Sequence, residues 1–238
     1  MTQTKIHRTT AFLKNYLPSF MWRWVRGLFT ALLTPIRFSL YSGHLRSSLR
    51  AASVNRKGSP IPWYTYPAID FLLSREFSQK EVLEFGGGHS TLWWAERAKW
   101  VITFEEDLDW FSNLSGKCPS NVDLIYMPLV GAEVTCQSIR AALKEKNADK
   151  FDIIVIDGLY RCELIEVAVD YLRDGGLIIC DNGEGYGFFE GFKGKGFSRI
   201  DFYGYAPGVY LPHVTSLYFR LDSEIFDSNC PIRVPALD

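Results

Sequence analysis

The first 69 residues contain no aspartate or glutamate; the first acid is Asp70. Residues 1–60 nevertheless hold ten cations (Lys5, Arg8, Lys14, Arg23, Arg26, Arg37, Arg46, Arg50, Arg56 and Lys57). The rest of the chain carries the other 16 lysines and arginines and all 27 acids, so a total charge of −1 conceals a basic arm on an acidic body. Such asymmetry points to a partner for the arm. Cysteine is scarce: five, an odd count, with no C-x-x-C and no Cys/His ligand spacing. That argues against a secreted disulfide scaffold and a structural zinc site and fits a reducing, cytoplasmic setting. Long apolar runs are missing too. The longest uncharged stretch of the arm, between Arg26 and Arg37, is ten residues, half of the roughly 20 that a spanning helix needs. No signal-peptide layout is present, because arginines interrupt the apolar part and no small-residue cleavage site follows. Internal repeats and low-complexity tracts are absent.

What is present is ordinary globular composition, 47% hydrophobic and 22% charged over 238 residues, enough chain to bury a large core. Residues 11–41 (AFLKNYLPSFMWRWVRGLFTALLTPIRFSLY) alternate aromatic and aliphatic residues with spaced arginines. Three readings fit. One is an interfacial helix with Phe20, Trp24, Leu28 and Leu32 on its apolar side and cations toward anionic headgroups. A second is an organelle transit peptide. The third is a helix packed on the acidic body with its cations paired there. Nucleic acid is not an expected partner, since the cations are scattered and no nucleic-acid motif accompanies them.

Ser53–Pro62 (SVNRKGSPIP) reads as the boundary between an arm (1–60) and a body (61–238). Tyr66–Phe77 is predicted helical, and then strands and helices alternate. The predicted strands are Glu81–Phe85, Trp100–Glu105, Val122–Tyr126, Phe151–Asp157 and Gly176–Cys180. The predicted helices between them are Ser90–Lys99, Asp107–Leu114, Glu133–Lys146 and Glu163–Leu172. This alternation specifies an α/β fold with a parallel sheet covered on both faces. A Gly-rich stretch after Asp181 leads to two more strand candidates, Arg199–Tyr203 and His213–Arg220.

Ligands of open α/β sheets bind beyond the carboxyl ends of the strands. The first strand ends Glu84-Phe85-Gly86-Gly87-Gly88-His89-Ser90, where glycines permit a tight turn and close backbone approach, and the next helix offers free N–H groups. The second strand ends at Glu105, twenty-one residues after Glu84, suited to accept hydrogen bonds from ribose hydroxyls. The fourth ends at Asp157-Gly158 and the fifth at Asp181-Asn182. Thr91 stands where a dinucleotide fingerprint has its third glycine, and Glu84 stands two residues before the first; both count against a nicotinamide dehydrogenase.

The series VLEFGGGHSTLWWA, VITFEED, FDIIVIDG and LRDGGLIICDN resembles the motif series of class I S-adenosylmethionine-dependent methyltransferases over roughly residues 80–221. The resemblance implies a Rossmann-like, doubly wound, seven-stranded sheet, mostly parallel with an antiparallel last strand. It implies that Gly86, Gly87 and Gly88 line the methionine and ribose part of S-adenosylmethionine. Glu84 would lie near the amino end or order the loop, Ser90 would cap the helix or touch the carboxylate, and Glu105 would hold the ribose. Residues 128–132 would flank the adenine, Asp157 would lie beside the methyl donor and the substrate, and Glu106 would be a solvated neighbour. In catechol-type O-methyltransferases an Asp and an Asp-Asn pair at these strand ends hold magnesium, which makes Asp157, Asp181 and Asn182 candidate Mg2+ ligands; the alternative is a turn or cap at Asp181-Asn182. If the strand near Ile200–Tyr203 is parallel, the connection Gly204–Pro212 crosses the active-site edge and Tyr210 and His213 are expected to face the substrate; the alternative for His213 is a surface-loop histidine. His213 or Asp157 is then the candidate base. Aromatic residues of Pro62–Pro67 serve as a lid or as a hinge to the arm.

These residues together predict a methyltransferase acting on an oxygen or nitrogen nucleophile of a small molecule, glycan, lipid or protein. Two rivals stand beside it: an NAD-dependent oxidoreductase, and a non-catalytic cofactor-binding protein held on a membrane by residues 11–41.

Overall fold

The computed structural model describes residues 18–223 and residue 225. Residues 1–17, with Lys5, Arg8 and Lys14, and Cys230 lie outside them. Seven strands form one sheet: β1 (Glu81–Phe85), β2 (Trp100–Glu105), β3 (Val122–Tyr126), β4 (Phe151–Ile156), β5 (Leu172–Asp181), β6 (Ser198–Gly204) and β7 (His213–Phe219). Their order is β3-β2-β1-β4-β5-β7-β6. β1 to β5 pair in parallel, and β7 runs antiparallel to both its neighbours. This is the predicted architecture: mostly parallel, with one reversed strand at the end of the chain. The described helices are α1 (Ser19–Ser42), α2 (His44–Arg50), α3 (Tyr66–Leu73), α4 (His89–Ala95), α5 (Leu108–Ser115), α6 (Ala132–Glu145), α7 (Leu164–Tyr171) and α8 (Phe188–Phe192).

The strand sequences explain the layering. In β1, Leu83 and Phe85 point to one side, where α6, α7 and α8 pack; Val82 and Glu84 point to the other, toward Trp93 and Trp94 of α4. Both sides of β4 are covered, with Ile154 and Ile156 in one cluster and Ile153 and Val155 in the other, which is why FDIIVI shows no polar alternation. The chain steps from β1 to β2 on one side and returns to β4 on the other, so the crevice beyond β1 and β4 is the topological switch point.

Several boundaries differ from the prediction. β5 begins at Leu172 rather than Gly176, its pairing with β4 broken by a register shift between Phe151 and Ile153. α3 stops at Leu73 instead of Phe77, and α4 at Ala95 instead of Lys99. α8 falls in the Gly-rich stretch and has poor intrinsic propensity. It exists because Phe188 and Phe192, four apart, are both buried, and Phe192 stacks on Tyr218 at 3.9 Å between centroids.

The arm has two parts. α1 has no buried residue and continues through Pro35. Beyond it the chain is fixed to the body. Gly43, at φ +88°, turns where a Cβ would lie 2.5 Å from the Asn55 carbonyl carbon. The Ser47 hydroxyl donates to Val54 O (2.8 Å) and accepts from Val54 N (3.1 Å). Gly208 N donates to His44 Nδ1 (3.3 Å), Trp63 Nε1 to Pro207 O (3.0 Å) and Tyr66 N to Tyr205 O (2.8 Å). These carbonyls and amides belong to the β6–β7 connection, so the arm joins the body at the carboxyl edge of the sheet. Among the described residues, no helix is long and apolar enough to cross a membrane.

Candidate active site

Four carboxylates stand on one face of the sheet at or just past the carboxyl ends of its strands: Glu84, Glu105, Asp157 and Asp181. Side chains two apart on a strand share a face, which places Glu84 beside Thr103 and carries Glu105 to the strand end.

The turn after β1 is built for glycine. Gly86 has φ +91°, and a Cβ there would lie 2.6 Å from Gly158 N, so the two loops touch backbone to backbone. At Gly87 a Cβ would come within 2.9 Å of the Thr103 methyl. Gly87 N donates to Glu105 Oε2 (2.6 Å), Gly88 N to Thr91 Oγ1 (2.9 Å), and Gly87 O accepts from Trp110 Nε1 (2.6 Å). Trp63 stacks on Trp110, and His89 Nδ1 donates to Ser53 O (2.6 Å). The predicted aromatic segment thus lies against the glycine loop.

Glu84 is fully buried. Its Oε2 accepts from Thr91 Oγ1 (2.5 Å) and Thr103 Oγ1 (2.9 Å), while Oε1 has no partner among the described residues. Burial raises its pKa to about 7; the Ser90, Thr91 and Thr103 hydroxyls oppose the rise and the charge of Glu105 adds to it. Glu105 Oε1 accepts from Asp107 N (2.8 Å) and Oε2 from Gly87 N. Burial raises its pKa as well, against those two amides. Glu105 therefore ties β2 to the glycine loop, a role the sequence did not suggest.

A narrow hollow opens on the other side of the loop, lined by Gly86, Glu106, Leu129, Gly158 and Leu159 over Phe85 and Phe104. Glu106 is not merely solvated: its Oε1 accepts from Leu159 N (3.1 Å). Leu129 comes from the segment expected to flank adenine. The hollow measures about 20 Å³, room for about one water molecule, so a nucleoside enters only if these side chains move apart.

The ends of β4 and β5 meet through Arg161, which sequence reasoning did not single out. Its Nη2 donates to Asp157 O (2.8 Å) and Asp157 Oδ1 (3.0 Å), its Nη1 to Asp181 O (2.6 Å) and Asn182 Oδ1 (3.0 Å), and its Nε to Gly158 O (2.9 Å). The guanidinium lies 4.4 Å from the Tyr186 ring centroid. Three non-glycine residues around it, Tyr160, Asn182 and Tyr186, have left-handed φ values of +55°, +52° and +57°, backbone costs of the kind that cluster at functional sites. The cation stands among the three residues expected to bind Mg2+. A divalent ion would face an arginine already holding Asp157 and Asn182, and Asp181 Oδ1 is turned instead toward Thr215 Oγ1 (3.2 Å) and His213 Nε2 (3.5 Å). The donor set does not fit magnesium. Among the described residues, no group of three or more His, Cys, Asp or Glu gathers as a metal site.

Burial drives the Asp157 pKa well above the usual carboxylate range, the charge of Asp181 adds to it, and Arg161 opposes it. Hydrogen bonding to Asp181 raises the His213 pKa, with burial working against it. His213 Nε2 has no other partner among the described residues. Tyr210, expected to face the substrate, is 89% exposed on the β6–β7 connection.

Comparison with known proteins gives no matching family model and no matching curated relative. Solved structures do match. The O-methyltransferase from Bacillus cereus in complex with SAH is 19% identical, over 81% of this chain and 96% of that one, at TM-score 0.47. The precorrin-6y C5,15-methyltransferase from Geobacter metallireducens GS-15 is 12% identical, over 65% and 88%, at 0.48. The tRNA (m1A58) methyltransferase TrmI from Aquifex aeolicus is 16% identical, over 66% and 69%, at 0.43.

Proposed function

We propose that the chain is an S-adenosylmethionine-dependent methyltransferase acting on an oxygen or nitrogen nucleophile without a metal ion. The observation that carries this reading is the base of the glycine loop: a buried carboxylate, Glu84, with one oxygen unpartnered, beneath a turn that only glycine can make. A buried acceptor without a donor costs roughly 1–3 kcal/mol, and a cationic amino group is the ligand feature that satisfies it. The hollow beside the same turn, with Glu106 and Leu129 in its wall, would take the nucleoside only by widening. Gly86, Gly87 and Gly88, Glu84 and Glu105 would hold the cofactor, with Ser90 buried beside them in the first turn of α4. Bound there, the cofactor supplies an electrophilic methyl group on sulfonium.

The protein's own residues bind, orient and manage a proton. His213 takes the acceptor proton at Nδ1, and Asp181, 3.5 Å from the other ring nitrogen Nε2, favours the imidazolium that results. Arg161 holds the Asp157 and Asp181 loops in register and supplies the fixed positive charge that a metal supplies elsewhere. Asp157, kept protonated more readily than a free carboxylate by burial and by Asp181, positions the acceptor and is not the base. The missing third glycine and the Mg2+-incompatible arginine leave neither a dinucleotide nor a metal-assisted reading.

Isothermal calorimetry with S-adenosylhomocysteine tests the assignment. The wild-type chain is expected to bind it, NADH is expected to give no heat, and Glu105→Ala is expected to weaken binding about ten- to hundredfold, the worth of one charge-assisted hydrogen bond. Binding that survives Glu105→Ala unchanged sinks the part given to Glu105, directly or through the Gly87 amide it holds; binding of NADH in place of S-adenosylhomocysteine sinks the function.

A further inference from the structure

We infer that α1 docks the chain on an anionic membrane surface, with the cleft between α1 and α2 taking the lipid phosphate. The inference does not depend on the methyl-transfer reading.

The helix pattern comes first. Along α1, Arg23, Arg26, Thr30, Thr34 and Arg37 follow one another three or four residues apart and so form one narrow polar strip. Most of the remaining surface is apolar and exposed: Trp24 is 74% exposed, Leu32 66% and Phe20 64%; only toward its end does α1 touch the body, where the Phe38 ring packs edge-on against Tyr66. Apolar patches of this extent on a folded protein mark an interaction surface. A broad apolar side with aromatic residues and a cationic strip is the design of a helix that lies in the headgroup plane, where tryptophan is at home.

Charge selects the partner. Seven cations stand between Arg23 and Lys57, with no acid among them. Among the described residues, none of the seven enters an ion pair, although the body they are joined to is acidic. The alternative of a helix neutralised on that body is thus not what α1 does. Where α1 meets α2, an open cleft of about 630 Å³ is lined by Leu40, Leu45 and Leu49 together with Arg46, Arg50 and Arg56, guanidinium forks beside aliphatic walls, suited to a phosphate and the first methylenes below it. The fixed end of the arm lies on the β6–β7 connection, so docking brings the carboxyl edge of the sheet to the headgroup layer. Nucleic acid is the weaker fit, because apolar residues outnumber cations on α1.

The full-length chain is sedimented with phosphatidylcholine vesicles and with mixed phosphatidylcholine–phosphatidylserine vesicles, at low and high salt. We expect pelleting with the anionic vesicles only, weakened by salt. Trp24→Glu with Leu28→Glu is expected to abolish it at either salt. Replacing Arg23 and Arg26 by alanine is expected to weaken it roughly 25-fold, each cation contributing about a factor of five, and Arg46→Ala with Arg50→Ala by a similar factor. Melting temperatures of the α1 variants are expected to be unchanged, because none of Arg23, Trp24, Arg26 and Leu28 is buried; a fall shows that this part of α1 packs on the body and overturns the proposal. Absence of pelleting overturns it, as does equal pelleting with neutral vesicles. A dimer that Trp24→Glu dissociates, or retention on polyuridylate, in a chain that ignores vesicles assigns the surface to a second copy or to RNA.

Discussion

Glu84 is a carboxylate in the apolar interior, and its environment makes its proton a stability term. Its pKa in the folded chain, about 7, lies above the value near 4.5 that it has when exposed. The folded state therefore binds the proton more tightly than the unfolded one. Its contribution is intact below about pH 4.5 and is lost as pH rises through 7, a difference of about 3 kcal/mol at 1.36 kcal/mol per unit. Glu84→Gln, which keeps the shape and removes the titration, is expected to lose this part of the pH dependence. Chemical denaturation of both chains between pH 5 and 8 measures it: the gap between them should move toward the variant by up to about 3 kcal/mol, and a constant gap contradicts the buried-acid assignment. At this scale the candidate acids, glycines and His213 were legible because each closes a strand or opens a turn. Arg161 was not. Nothing in GLYRCE marks it; its importance comes from five acceptors at the ends of two strands, β4 and β5, which only the fold brings together.

The turn between β1 and α4 behaves as a unit. Gly86 must be left-handed, and a methyl there meets the backbone of Gly158, which cannot withdraw without moving the end of β4. Gly86→Ala is expected to cost roughly 3 kcal/mol and to lower the melting temperature by about 6–12 °C. Gly116→Ala is the control: its φ is −73° and a Cβ there meets nothing within 4 Å, so its melting temperature should hold or rise slightly. Equal behaviour of the two variants in a thermal scan contradicts the close approach. Elements with strong periodicity, such as β1, β2, β3 and α6, lie within a residue of where the sequence put them. α8 was missed because two buried phenylalanines outweigh four neighbouring glycines. α3 and α4 close in local turns at Ser74 and Glu96, and past α4 the Ala95 and Ala98 carbonyls accept from Asn121 Nδ2. Helix ends are set by what the chain must reach next, not by propensity alone.

The whole molecule divides by burial rather than by sequence position. The sheet sits between two apolar layers, whereas α1 contributes to neither. Local stability follows burial. Hydrogen exchange read by mass spectrometry should therefore show α1 amides exchanging at the earliest times and those of β1, β4 and β5 among the last; slow exchange across α1 in the free chain contradicts its exposure. The basic arm on an acidic body, the α/β alternation and the glycine turn with its acids were determined by the sequence alone, because each is a local pattern of charge, period or backbone freedom. Which face of the sheet collects the four carboxylates, the arginine that occupies the place expected for a metal, and the anchoring of the arm beside the β6–β7 connection were decided only by the tertiary structure. Those features depend on residues far apart in the chain, and contact between them is fixed by how the layers pack.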